Sequence, residues 1–275
     1  MRFSVTASLL LGQAISALDT GIILPLYLYP SNGAAAWLPA FDAIRLDLNT
    51  PWLVILNPSN GPGSTGKPGN NDPNYIAGTS QLNNYYPKVT TIGYVYTSYA
   101  KMPLSKLKAT ITTWSKWATY SKANIAVHGI FFDECSSANF DYLKQAIAFA
   151  RGAFGNSITT VCNFGAKAGA KFYTICDVVV AFESCLNCPD GPPYMDQATL
   201  SNSIPSGYMT QGAVILNRFT GKSADGRMAN EALINAYVQT MKQNGLGWFY
   251  FASTGYDSIT APVASVGADA AALAA

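Results

Sequence analysis

The stretch His128-Gly129-Ile130-Phe131-Phe132-Asp133-Glu134 carries a short apolar run straight into two adjacent carboxylates. A continuous run of this kind, rather than an alternating one, is what a strand buried on both faces requires, and such strands belong to parallel sheets. Two acids at its carboxyl end exceed what solubility needs. About fifty residues on, the pattern returns as Asp177-Val178-Val179-Val180-Ala181-Phe182-Glu183. In a chain with 15 acidic residues among 275, two apolar strands ending in acids point to a paired-carboxylate site at the strand ends of a parallel sheet.

Working outward, eight β-rich apolar runs can be read: Ile22–Tyr29, Trp52–Asn57, Val89–Tyr96, Gly129–Asp133, Ile158–Asn163, Val178–Glu183, Ala213–Asn217 and Gly247–Ala252. Helical spacing fills the gaps. Leu107, Ile111, Trp114 and Trp117 share one face of Leu104–Tyr120, the two tryptophans as core. Asn139–Ala153 and Met228–Asn244 repeat the pattern, the second stopping at Gly245, and the Ala-rich tail from Ala268 reads as a last helix. No linker or internal repeat interrupts the series. Strands alternating with helices through a chain of this length predict one α/β domain, a closed (β/α)8 TIM-type barrel. An open doubly wound sheet is the alternative, but no early glycine-rich phosphate loop supports it. The stretch from Asn57 to Asp72, dense in Gly, Pro, Asn and Ser, is a long loop beyond the second strand, where barrels place function.

Apolar residues make up 49% of the chain and charged ones 12%, with a net charge of +2. Disorder is excluded, and no basic block offers a footprint for nucleic acid. Residues 1–17 combine Arg2, an apolar run and a small-residue end at Ala17, which predicts a secretory leader with the barrel from residue 18 to 275. No later run is long enough to span a bilayer. The chain is therefore expected outside the cell, as a monomer, with neither membrane nor nucleic-acid partner. Five cysteines fit an oxidising compartment, and their odd number leaves at least one free or paired outside the chain. Cys135, Cys162 and Cys185 or Cys188 lie at or beyond strand ends and are expected near the site. Cys176 precedes its strand and is expected to be the free thiol. Cys185-Leu-Asn-Cys188 has metal-like spacing, but His128 is the sole histidine and starts its strand, so it reads as structural and no metal or cofactor is expected.

In a parallel barrel, ligands meet the carboxyl ends of the strands. Those ends supply Tyr27, Tyr29, Asn57, Asn60, Tyr94, Tyr96, Thr97, Asp133, Glu134, Asn163, Glu183, Asn217 and Phe251 with Ser253. Acids for proton transfer, amides for hydroxyls and aromatic faces for sugar rings form a carbohydrate-binding inventory, and the near absence of Lys and Arg from these strand ends disfavours phosphate. Bland readings stand beside these. Asn57 can order its turn before Pro58, the tyrosines can be core residues with satisfied hydroxyls, and Glu134 points away from Asp133 if the strand continues.

Four motifs together resemble the spherulin-4 family: Pro25-Leu26-Tyr27-Leu28-Tyr29-Pro30, Asn57-Pro58-Ser59-Asn60-Gly61-Pro62-Gly63, Ile92-Gly93-Tyr94-Val95-Tyr96-Thr97-Ser98-Tyr99 and Gly129-Ile130-Phe131-Phe132-Asp133-Glu134. The resemblance runs in order from about residue 22 to about residue 255. It implies a secreted fungal glycoside hydrolase of family 135, endo-acting on α-1,4-linked galactosamine-containing polymer of the galactosaminogalactan type. It also implies that Asp133, Glu134 and Glu183 are the catalytic acids. The alternatives are a polysaccharide-binding wall or spore-coat protein without catalysis, and an α-galactosidase-like hydrolase of another polymer.

Overall fold

The computed structural model describes residues 20–155 and 157–275; the leader reading of residues 1–17 lies outside them. The eight strands are β1 (Gly21–Leu26), β2 (Trp52–Leu56), β3 (Val89–Tyr96), β4 (Gly129–Asp133), β5 (Thr159–Asn163), β6 (Val178–Cys185), β7 (Gly212–Asn217) and β8 (Trp248–Phe251). They pair in parallel, in sequence order, and close into a barrel. The helices between and after them are α1 (Ser31–Ala34), α2 (Leu38–Leu46), α3 (Pro73–Tyr85), α4 (Leu104–Ser115), α5 (Phe140–Ala153), α6 (Ala170–Tyr173), α7 (Gln197–Ser203), α8 (Glu231–Gln243) and α9 (Val266–Ala274). The (β/α)8 reading holds. The first strand is shorter than the apolar run implied, so Tyr27 and Tyr29 sit in the loop beyond it.

Strand residues alternate between the barrel interior and the helix layer. On β3, Gly93 faces the helices, where a methyl group would lie 2.4 Å from the Trp114 ring of α4. Glycine there lets the indole reach the sheet, and Trp114 Nε1 donates to the Tyr94 carbonyl at 2.8 Å. Trp114 and Trp117 are fully buried, as their spacing predicted. Tyr94 faces inward against Phe131, ring centroids 6.0 Å apart, so Asp133, two residues further on β4, also faces inward.

The sheet departs from this alternation on β6. Val180 pairs with Ala213 and Phe182 with Val214, leaving Ala181 as an extra residue. Such a bulge reverses the facing of everything after it. The Phe182 ring packs outward on Tyr194, which packs on Tyr237 of α8. Glu183 consequently turns inward, opposite Ile215.

At the seam, β8 and β1 pair only through Gly21–Trp248 and Ile22–Phe249. Beyond that, the Phe251 amide donates to the buried Asp269 of α9 at 2.8 Å. The last helix thus finishes a ladder that the strands leave open, and burial holds the Asp269 carboxyl well above its ordinary range.

The cysteine expectation is corrected here. Cys176 is not free; it forms a disulfide with Cys162, with Cα atoms 6.0 Å apart. Cys162 precedes the inward Asn163, so its side chain leaves the barrel sideways into the helix layer. The α6 crossover brings Cys176 back past it there. Position along the strand was the wrong coordinate; facing decides. Cys185 and Cys188 form a second disulfide, and the free thiol is the buried Cys135.

Candidate active site

At the carboxyl ends of the strands a cavity of about 360 Å³ is lined by Tyr99, Asp133, Glu134, Asn163, Phe164, Gly165, Glu183 and Asn217. Small-ligand sites typically span about 300–1,000 Å³. The more apolar grooves between outer helices are smaller, about 200 and 330 Å³, and each is lined by a single acid.

Asn163 organises the cavity. Its Nδ2 donates to Asp133 Oδ1 at 2.8 Å and to Glu183 Oε2 at 2.6 Å. Those two carboxylate oxygens are therefore no farther apart than bonds of 2.8 and 2.6 Å laid end to end. That limit falls within the separation of about 5–5.5 Å typical of retaining glycosidases and below the roughly 6.5–9.5 Å of inverting ones. Asn163 Oδ1 in turn accepts from the Gly165 amide at 2.9 Å, which fixes the orientation of the amide group. Gly165 adopts a φ of 61°, left-handed backbone that suits glycine, and its carbonyl accepts from the Glu183 amide at 3.0 Å.

The two acids are held differently. Asp133 Oδ2 also accepts from the Tyr94 hydroxyl at 2.6 Å. Glu183 Oε1 accepts from the Tyr256 hydroxyl. Burial pushes the Glu183 carboxyl above its ordinary range, the bonds from Tyr256 and Asn163 pull it back, and the charge on Asp133 pushes it up again. Tyr27 lies between the other two tyrosines, 5.7 Å from Tyr94 and 5.6 Å from Tyr256 by ring centroid. Burial and the charges of Asp133 and Glu183 keep its hydroxyl protonated well above the usual tyrosine range.

Glu134 does not point away. The strand ends at Asp133, and Glu134 takes a left-handed φ of 51° that returns its side chain to the cavity. Thr97 is buried; its hydroxyl bonds the carbonyls of Asp133 and Glu134 at 2.8 and 2.6 Å, so it clamps backbone. Asn217 lines the cavity. Tyr96 is paired beside Asp133. Asn57 Oδ1 accepts from the Gly61 amide at 2.9 Å and orders its turn, and Asn60 is exposed at a φ of 45°. Tyr29 donates to Asp72, the cap of α3, and stands apart from the cavity. Phe251 has no exposed surface and stacks on Phe219 in the helix layer, so it offers no face to a ligand. Sequence reasoning missed Tyr99, Phe164, Gly165 and Tyr256. Tyr99 and Phe164 lie directly beyond the β3 and β5 ends, where a longer reading of each strand end would have found them. Tyr256 lies in the loop after β8 and carries no pattern of its own.

The family model for spherulation-specific family 4, spherulin-4, matches residues 21–268. The chain belongs to this family. Spherulin-4 of Physarum polycephalum is 25% identical over 231 residues, 83% of this chain, which spans 62% of that relative's length. Aspergillus clavatus Sph3, solved in complex with GalNAc, superposes with a TM-score of 0.74 over 94% of this chain and 98% of its own, at 24% identity. A class V chitinase from Pseudomonas fluorescens Pf-5 gives 0.56 over 93% of this chain and 99% of its own, at 12% identity. These likenesses establish the barrel. No helix among the described residues is long and apolar enough to cross a membrane, and none of their His, Cys, Asp and Glu side chains gather in threes that could hold a metal.

Proposed function

We propose that this protein is a secreted glycoside hydrolase that cleaves α-1,4-linked galactosamine- or N-acetylgalactosamine-containing polysaccharide from within, with retention of configuration. The observation that carries the reading is the single Asn163 amide bridging Asp133 and Glu183 at 2.8 and 2.6 Å in an open polar cavity. The sugar class rests on family membership and on the likeness to Sph3, whose structure holds GalNAc. Secretion is supported by the two disulfides.

Asp133, stabilised as an anion by Tyr94 and Asn163, is the nucleophile. In an α-linked 2-acetamido sugar the substituent is cis to the leaving group and cannot attack from the opposite face, so the enzyme supplies the attacking group. As the Asp133–C1 bond forms, the glycosidic C–O bond breaks and Glu183 delivers its proton to the departing oxygen. Glu183, now a carboxylate, takes a proton from water, whose oxygen displaces Asp133 from C1. Glu134 positions the substrate or tunes Asp133.

Reducing-end release from purified α-1,4-linked galactosaminoglycan, compared with other α-linked polymers, tests the activity and its specificity. NMR of the first-formed product tests the stereochemistry: an α-anomer is expected, and a β-anomer would overturn the nucleophile assignment. Binding without release on every polymer would leave a polysaccharide-binding protein.

A further inference from the structure

Tyr99 stands on the rim of the same cavity with 54% of its surface exposed. Of the exposed tyrosines Tyr29, Tyr85 and Tyr99, it alone among the described residues lines that cavity. Its backbone is unusual. Ser98, Tyr99 and Ala100 have φ values of 51°, 52° and 66°, three successive non-glycine residues in a region that bulky side chains rarely enter. Backbone strain of this kind persists where the surroundings enforce it, and it gathers at ligand-binding sites.

The enforcement runs through the acids. The Tyr99 amide donates to the Glu134 carbonyl at 2.8 Å, the same carbonyl that the Thr97 hydroxyl bonds at 2.6 Å. Met102 N closes the turn on the Thr97 carbonyl at 3.2 Å, and Tyr142 buttresses the Met102 carbonyl at 2.8 Å. A turn needed only for connection would take Gly or Asn at these positions. A half-exposed ring contributes little to packing. The turn therefore holds an aromatic face at a fixed height beside Asp133 and Glu134.

We propose that Tyr99 is a stacking platform for one sugar ring of the polysaccharide, next to the unit held over Asp133 and Glu183. This rests on the carbohydrate reading above. The test is calorimetric binding of a soluble α-1,4-linked N-acetylgalactosamine oligosaccharide to the Glu183→Gln protein, alone and with Tyr99→Asn, Tyr99→Leu or Tyr99→Phe added. Asn tolerates left-handed backbone, so Tyr99→Asn removes the ring and keeps the turn. It should weaken binding about tenfold, the scale of one aromatic contact. Tyr99→Phe should bind as tightly as the parent. If Tyr99→Asn does not fold, Tyr99→Leu carries the same expectation. In the active enzyme the loss should appear mainly in KM. Unchanged binding after ring removal overturns the proposal, and so does a Tyr99→Phe loss as large as that of Tyr99→Asn, which would assign the effect to the hydroxyl. Binding that depends on the Tyr99 ring, in a protein that cleaves no polymer, would defeat the proposed activity and leave the platform standing.

Discussion

Asp133 and Glu183 close two apolar runs that look alike in sequence, yet they reach the cavity by different routes. Asp133 arrives by regular alternation: Phe131 and Asp133 face inward, and the Gly93–Trp114 contact fixes the neighbouring strand that carries Tyr94. Glu183 arrives only because the bulge at Ala181 reverses the facing of β6. With strict alternation from the inward Val180, Glu183 would lie among the helices. The β4 end is thus a product of the fold's periodicity, and the β6 end is a local exception to it. Bulges at barrel rims serve to re-aim side chains in this way.

The sharpest test of the comparison removes each acid in turn. Asp133→Asn and Glu183→Gln should each lower kcat on the polymer by about three orders of magnitude or more, since both covalent and proton-transfer steps fail. Far-ultraviolet circular dichroism should be unchanged. Near-normal turnover by Asp133→Asn would sever the β4 end from the chemistry.

How much of this was legible in sequence follows from the same contrast. Strand positions came from continuous apolar runs, a strong signal, and β3 and β4 fell where the runs placed them. Asp133 and Asn163 were legible because they end regular strands. Glu183 was read as a strand end, whereas β6 runs on to Cys185, and the reason Glu183 faces inward was not visible, since a bulge of Ala181 among Val180 and Phe182 leaves no compositional mark. Phe251 shows the converse: strand ends were counted without facing, and an outward residue entered the site. The same omission misplaced Cys176, whose partner Cys162 faces outward beside the inward Asn163.

A second test weakens the β4 arm without touching its acid. Tyr94→Phe removes the 2.6 Å bond to Asp133 Oδ2. A hydrogen bond to a charged group contributes about 1.5–3 kcal/mol, so kcat/KM should fall by roughly ten- to a hundredfold. Gly93→Ala reaches the same arm from outside. Its methyl meets the Trp114 ring, and overpacking of this kind costs about 1–3 kcal/mol, read as a lower denaturant midpoint. Stability equal to wild type would show that Trp114 is not wedged against β3.

The smallest expected effect, and the one most specific to the β6 end, comes from Tyr256→Phe. In the wild-type protein burial already raises the Glu183 carboxyl, while the Tyr256 hydroxyl bond lowers it. Taking that bond away removes a lowering influence, so the protonated form of Glu183 persists to higher pH. A general acid works while protonated, and activity is lost as pH rises through its pKa. The basic limb of kcat/KM should therefore move to higher pH in Tyr256→Phe, with the acid limb unmoved and the plateau changed only a few-fold. In Tyr94→Phe the basic limb should stay where it is in the wild-type protein, since Tyr94 makes no bond to Glu183. A basic limb that moves in Tyr256→Phe and stays in Tyr94→Phe would assign Glu183 as the acid. A basic limb that moves to lower pH in Tyr256→Phe would mean that the hydroxyl supports the protonated carboxyl instead, and the roles given to the two strand ends would have to be exchanged.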